Sequence, residues 1–127
     1  AAAKAGAARV FTNEIDDFAS VALALNAAAN DVAIDLSRLD LLGGAPAPFD
    51  VVLAGDVCYE RPMAERMVPW LRARAAEGVL VLLGDPGRAY LPASGLVELA
   101  HYDVPTTLEL EDRTMRRTVV WRVEPVG

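Results

Sequence analysis

The sequence predicts an α/β fold in which most strands run parallel and the last two form an antiparallel pair. Short apolar runs at 50–54 and 79–83 are rich in Val and Leu, the composition of parallel strands buried on both faces. Segments with helical spacing of apolar residues lie between most of the earlier strands, whereas only an acidic loop precedes the last strand. An alternating pattern that ends in consecutive strands is typical of a mixed α/β sheet.

The composition limits the class of protein. A chain of 127 residues, of which 54% are hydrophobic, is enough for one domain, so we expect a single domain over 1–127. The formal net charge of −6 argues against a nucleic-acid partner, because affinity for phosphates comes from clustered Lys and Arg. No apolar run approaches the roughly 18 residues of a membrane helix, and the alanine-rich start does not resemble a secretion signal. The single cysteine, Cys58, suits a reducing compartment, and we expect a cytoplasmic protein.

The chain is predicted to begin at the end of a helix. Residues 1–5 are mostly alanine and Gly6 follows them, which is the pattern of a helix closed by a left-handed glycine. A strand at 8–12 comes next. Three carboxylates, those of Glu14, Asp16 and Asp17, follow this strand at its carboxyl end.

Apolar residues then recur at helical spacing over 18–29. Asp17 is the expected N-cap of this helix, and Asn30 is expected to end it. Residues 32–36 form the next predicted strand, and the Gly- and Pro-rich composition of 44–48 indicates a loop.

The second half of the chain is predicted to contain a strand, a helix and three further strands. The helix begins near Pro62, is kinked or divided at Pro69, and ends at Gly78. The strand at 79–83 follows it. Residues 96–102 and 117–123 are expected to form the antiparallel pair, joined by an acidic hairpin loop around 109–113.

Asp56 and Tyr59 directly follow the apolar strand at 50–54. Open α/β sheets bind ligands beyond the carboxyl ends of their strands, so these two side chains are candidates for chemistry. The alternative is structural: Asp56 caps the next helix and Tyr59 packs on it.

Three motifs occur together: TNEID at 12–16, DVCY at 56–59 and GDPGR at 84–88. With them the chain resembles the seven-strand class I methyltransferases, which have a Rossmann-like sheet and use S-adenosylmethionine. Within that family it resembles the branch of the electron-transfer-flavoprotein beta-subunit lysine methyltransferases, often labelled nicotinamide N-methyltransferase-like. The resemblance covers nearly the whole chain. GDPGR is specific within the branch, and DxxY is shared by a wider group of protein-lysine methyltransferases. An acidic residue after a strand, as in TNEID, is a weak signal on its own.

The first strand and the glycine-rich GxGxG turn of that family have no counterpart here. Gly43 and Gly44 follow no predicted strand and precede no helix, so they cannot form it. We therefore expect an amino-terminally truncated domain. Without the missing strand, the strands at 8–12 and 32–36 cannot join the strands at 50–54 and 79–83 in the usual register. A partner chain, a rearranged sheet or a disordered gap would make up the difference. A homo-oligomer is one form of the first alternative.

The resemblance implies cofactor-binding residues in the first half of the chain. Glu14 stands where the family has the acid that accepts hydrogen bonds from both ribose hydroxyls, and Ile15 is beside it. Asp40 is the candidate partner of the adenine amino group, and Leu41 is a candidate for the adenine wall. Asp16 is expected to be a solvated charge.

The resemblance implies substrate residues in the second half. Asp56 and Tyr59 would face the substrate lysine, with Asp56 orienting the ammonium group, since a carboxylate raises the pKa of a nearby amine and so opposes its deprotonation. Asp85 and Arg88 would shape the mouth of the substrate site. The alternative for these two is a structural turn in which Arg88 pairs with Asp85.

The function implied is S-adenosylmethionine-dependent N-methylation of a lysine in a protein such as the beta subunit of electron-transfer flavoprotein. Two alternatives remain open: a non-catalytic remnant that does not bind cofactor, and a small-amine N-methyltransferase. No metal site is expected, because His101 is the single histidine and is expected to be half-buried and structural. Cys58 is expected to be a buried, inert thiol.

Overall fold

The computed structural model describes residues 1–14, 16–37, 49–105 and 115–126. The chain forms two compact units, Ala1–Pro46 and Ala47–Gly127. Each unit contains parallel strands and one helix, and the second ends in an antiparallel pair, so the predicted α/β class is confirmed. Within the described ranges, no helix has the length and apolar character needed to cross a membrane.

The first unit begins with a turn that has the hydrogen bonds of a helix end. Gly6 has a φ of 103°, and its N–H donates to the carbonyl oxygen of Ala3 at 3.2 Å. The Ala7 N–H donates to the carbonyl oxygen of Ala2 at 3.2 Å. These two bonds with a left-handed glycine between them make a Schellman motif, as the alanine-rich start predicted.

Strand β1 (Phe11–Asn13), helix α1 (Asp17–Ala29) and strand β2 (Asp35–Ser37) follow. The two strands pair in parallel over three positions, with Phe11 opposite Asp35. Both begin about three residues later than predicted. The apolar runs include residues that lead into each strand, whereas the hydrogen-bonded ladder starts only where the two strands come within hydrogen-bonding distance.

The N-cap of α1 is Asp16 and not Asp17. Asp16 has an extended backbone, and its Oδ1 accepts the N–H of Ala19 at 2.9 Å. Asp17 is already inside the first turn, where its charge is favourable to the helix dipole. The predicted end at Asn30 is confirmed, and Asp31 takes the left-handed position after it with a φ of 53°.

The second unit holds a four-stranded mixed sheet with one helix. Its elements are β3 (Val51–Gly55), α2 (Arg61–Ala76), β4 (Leu80–Asp85), β5 (Leu96–Pro105) and β6 (Met115–Val123). The strand order is β3-β4-β6-β5, with β3 and β4 parallel and both β6 pairings antiparallel. The predicted antiparallel pair of terminal strands is therefore confirmed, and both strands are longer than predicted.

Helix α2 is continuous from Arg61 to Ala76, so Pro69 does not divide it. Pro69 removes one backbone hydrogen bond from the helix. Leu71, two residues later, is fully buried against the sheet, and this packing stabilises the helix across the proline. Pro62 lies in the first turn as predicted. Gly78, with a φ of 86°, closes the helix in a second Schellman motif.

The core of this unit lies between α2 and one face of β4. Cys58, Leu71, Val81 and Leu83 are at most 1% exposed and form one cluster with Ala64 and Val123. The expectation that β3 is buried on both faces is wrong, because its alternate residues, which include Val51 and Leu53, are exposed. An apolar run predicts a strand, but the elements that cover its two faces are set by the rest of the fold.

Candidate functional site

The carboxyl ends of β3 and β4 lie side by side because these strands pair in parallel. Asp56 follows β3 directly, and its N–H donates to the carbonyl oxygen of Gly84 at 2.9 Å, which extends the ladder one step past the strand end. Asp85 is the last residue of β4. The DVCY and GDPGR motifs therefore meet at one edge of the sheet.

Asp56 has a left-handed backbone, with a φ of 52°. This conformation is uncommon for a residue other than glycine, although Asp and Asn tolerate it best. Asp56 is not the cap of α2, since Glu60 holds that position and makes no side-chain capping bond. The structural alternative that Asp56 caps the helix is wrong, and the left-handed backbone turns its carboxylate to another partner.

That partner is Arg88. Its Nε donates to Oδ1 of Asp56 at 2.7 Å and its Nη2 donates to Oδ2 at 2.8 Å, a two-point pair. These hydrogen bonds hold the pKa of Asp56 below its ordinary value; partial burial opposes the shift, and the charges of Arg88 and Arg116 support it. The alternative that the Arg88 side chain pairs with Asp85 is wrong.

Asp85 lies inside the turn that carries Arg88. It is 1% exposed, and its Oδ1 accepts the N–H groups of Gly87 and Arg88, each at 2.7 Å. Gly87 has a φ of 91°, which explains a glycine there. The Oδ2 atom of Asp85 is buried without a hydrogen-bond partner among the described residues. Asp85 thus fixes the GDPGR turn, while its role in binding substrate stays a prediction.

Cys58 and Tyr59 lie between the site and helix α2. Cys58 is fully buried, and burial raises the pKa of its thiol, with further contributions from the charges of Asp85 and Asp56. A thiol with a raised pKa is protonated at neutral pH and is a poor nucleophile. Tyr59 is about half exposed, at 51%.

Tyr90 is a neighbour that the sequence did not single out. Its N–H donates to the carbonyl oxygen of Cys58 at 3.3 Å, and the Arg61 guanidinium lies 5.7 Å from the centre of its ring. An open cleft of about 440 Å³ is lined by Arg61, Ala64, Glu65, Val68, Pro69, Tyr90 and Pro92. Tyr90, five residues after the end of β4, has no sequence signal of its own, so only the fold shows that it reaches the DVCY segment.

Glu14 lies in the first unit, directly after β1. Its N–H donates to the carbonyl oxygen of Ser37 at 2.9 Å, and its Oε1 accepts the N–H of Asp16 at 3.0 Å. The side chain is half-buried, so a carboxylate acceptor is held at the carboxyl end of a parallel strand, as predicted from its position. Ile15, Asp40 and Leu41 lie outside the described residues.

His101 is exposed, and the expectation that it is half-buried is wrong. Its Nδ1 lies 3.5 Å from Oε1 of Glu98, and both side chains are exposed. Three or more metal-ligating side chains do not cluster anywhere in the described part of the chain.

Curated relatives match most of this chain. It is 31% identical over 126 residues to the electron transfer flavoprotein beta subunit lysine methyltransferase of Xenopus laevis, which covers 94% of this chain and 51% of the relative. The Danio rerio protein of the same name is 31% identical over 128 residues, which covers 96% of this chain and 50% of the relative. The chain thus spans about half the length of these relatives. No protein-family model matches it.

Solved structures share the fold. The N-methyltransferase NodS of Bradyrhizobium japonicum aligns with a TM-score of 0.55 at 14% identity, over 91% of this chain and 74% of NodS. A second NodS structure, in complex with S-adenosyl-L-homocysteine, aligns with a TM-score of 0.52 at 13% identity, over 91% of this chain and 66% of that one. At such low identity the similarity concerns the fold alone.

Proposed function

We propose that this chain, a homologue of the electron transfer flavoprotein beta subunit lysine methyltransferases with a class I methyltransferase fold, takes part in methylating a lysine of a protein with S-adenosylmethionine. The observation that carries the proposal is the 31% identity over nearly the whole chain to relatives of that name. Because the chain spans about half of their length, activity, cofactor and substrate are proposals for the whole protein.

The bound cofactor would supply an electrophilic methyl group on a sulfonium, which a neutral amine attacks in line. Glu14 is the described residue that would hold it. Its half-buried carboxylate, placed just past a parallel strand, is an acceptor suited to a pair of ribose hydroxyls. Ile15, Asp40 and Leu41 remain predicted cofactor contacts.

Asp56 would receive the substrate lysine as an ammonium ion and orient it. A carboxylate that stays ionised is needed for this, and Asp56, whose pKa lies below its ordinary acidic value, is charged at neutral pH. The same charge raises the pKa of the bound amine, so Asp56 orients the nitrogen while the proton leaves to water. The half-exposed Tyr59 would complete the contact with the ammonium group through its ring and hydroxyl.

Mass spectrometry tests the proposal. The full-length protein is incubated with S-adenosylmethionine and candidate proteins, with the electron-transfer-flavoprotein beta subunit first among them, and methyl-sized mass increments on lysine are expected. Methylation of free small amines alone would favour the small-amine alternative. Titration with S-adenosylhomocysteine in a calorimeter separates both from a non-catalytic remnant, which would bind none.

Glu14→Ala is expected to weaken cofactor binding about tenfold. The lost acceptor leaves two hydroxyl donors unpaired, at a cost of about 1–3 kcal/mol. The measurement is the dissociation constant of S-adenosylhomocysteine in the full-length protein.

The matched control is Asp16→Ala, two residues away. It removes the α1 cap bond to Ala19 and is expected to lower stability by about 0.5–2 kcal/mol without changing cofactor affinity. If Glu14→Ala behaves like this control, with a lower melting temperature and unchanged affinity, the ribose assignment is wrong.

Three broader expectations remain proposals. A single methyltransferase domain over 1–127 and assembly as a homo-oligomer stay predictions. The partner is a protein, and neither nucleic acid nor membrane is expected. A cytoplasmic location is expected from the use of one cysteine.

A further inference from the structure

The carboxylate proposed to hold the substrate ammonium already has an occupant. Arg88 donates one N–H to each oxygen of Asp56, at 2.7 and 2.8 Å. A guanidinium and an ammonium are both cationic donors that compete for the same lone pairs. A lysine therefore cannot reach the carboxylate along these directions while the pair is closed.

The backbones on both sides of this pair are fixed. Asp56 is held by its N–H bond to Gly84, and the Arg88 N–H is held by the buried carboxylate of Asp85. Nε of Arg116 also donates to the carbonyl oxygen of Pro86 at 3.1 Å, which ties the same turn to the neighbouring strand. The part of the pair that can move is thus the long Arg88 side chain.

That side chain has room to leave. Its exposed fraction is 32% and that of Asp56 is 47%, so the pair lies at the surface and solvent can take over its hydrogen bonds. Ion pairs with this exposure contribute little free energy, because solvent screens the two charges. The closed state is therefore favoured by a small margin that a bound substrate can overcome.

We propose that Arg88 is a tethered competitor that closes the ammonium site, and that a substrate lysine enters by displacing its guanidinium from Asp56. This inference rests on the proposed lysine-methylating function. It makes Arg88 a specificity residue: a free small amine has only its own charge with which to displace a two-point partner, whereas a lysine on a protein also gains binding energy from the surrounding surface. The site therefore disfavours small amines.

The test is Arg88→Met, which keeps an unbranched stem of similar reach and removes the charge. When the closed state is lost, apparent affinity rises by the reciprocal of the open fraction. We expect KM for a lysine-containing protein substrate to fall about fivefold, with kcat within about twofold of wild type. Methylguanidinium should inhibit the variant by competition, and wild type much less at the same concentration.

Arg117→Met is the matched control. Arg117 donates to Glu98 at 2.7 Å on the paired terminal strands, an exposed ion pair that does not involve the DVCY or GDPGR turns. Its kinetic constants should equal those of wild type. If Arg88→Met instead raises KM or lowers kcat more than about tenfold while its melting temperature is retained, Arg88 supports the site and the inference is overturned.

A binding measurement separates this inference from the function on which it rests. Butylammonium, which is a lysine side chain without its backbone, is titrated into wild type, Arg88→Met, and Arg88→Met combined with Asp56→Asn. Tighter binding by Arg88→Met that is lost in the double variant supports the closed site even if wild type methylates no lysine. Equal binding by all three overturns the inference, whatever the outcome for methylation.

Discussion

Asp56→Asn is expected to lower methyl-transfer turnover on a protein substrate by about two orders of magnitude, which is the size expected when the orientation of a reacting group is lost. The substitution keeps the shape of the side chain and one acceptor oxygen and removes the charge that holds an ammonium ion. Affinity for S-adenosylhomocysteine and the melting temperature should stay close to wild type, since the lost ion pair with Arg88 is largely exposed.

The backbone of Asp56 makes Asn the right replacement. At a φ of 52° an alanine adds strain of about 1–2 kcal/mol, whereas Asn adopts this conformation readily. Asp56→Gly is a second control, because it relieves the backbone and removes the carboxylate, so it should be inactive but stable. If the Asn variant retains more than about half of the wild-type turnover, Asp56 does not hold the substrate ammonium group.

The pH dependence follows from the direction of the Asp56 pKa shift. Its folded pKa lies below the ordinary Asp value of about 3.9. The stabilisation by the ion pair is therefore complete above that value and is lost as the pH falls through the lower, folded pKa. Near neutral pH Asp56 does not titrate, so a rise in activity with pH there does not come from Asp56 and is the result expected from deprotonation of the substrate amine.

Strand and helix positions in the second unit could be predicted from the sequence because each has a strong local signal. The apolar run that became β4 and the Pro62 and Gly78 boundaries of α2 are examples. The position of Asp56 at a strand end followed from the same pattern. The pairing of Asp56 with Arg88 could not be predicted, because it depends on the left-handed backbone of Asp56. Among residue types, only glycine gives a strong sequence signal for that conformation.

Burial was the other quantity that local patterns did not determine. Phe18, Val21 and Leu25 have the spacing of a buried helix face, yet in α1 they are 89%, 59% and 66% exposed. The spacing predicts the helix correctly, since it concerns the chain itself, but burial also requires a covering element. The choice between Asp16 and Asp17 as N-cap failed for a similar reason, since adjacent acids differ only in the backbone angles the fold gives them.

Leu71→Ala is expected to cost about 2–5 kcal/mol of unfolding free energy, the range for a large apolar side chain removed from a core. Leu71 is fully buried on α2 and shares a cluster with Val81 and Leu83 on β4. Small domains have about 5–15 kcal/mol in total, so the variant should unfold at clearly lower denaturant concentration with an unchanged m-value.

Leu99→Ala is the matched control for this core position, because Leu99 lies on β5 with 49% of its surface exposed. It is expected to cost less than about 1 kcal/mol, since most of the deleted surface is already in contact with water. A loss below about 1 kcal/mol for Leu71→Ala as well would mean that α2 does not pack on β4 as described. The order of the two variants therefore tests the packing that positions the carboxyl edge of the sheet, where Asp56 and Arg88 meet.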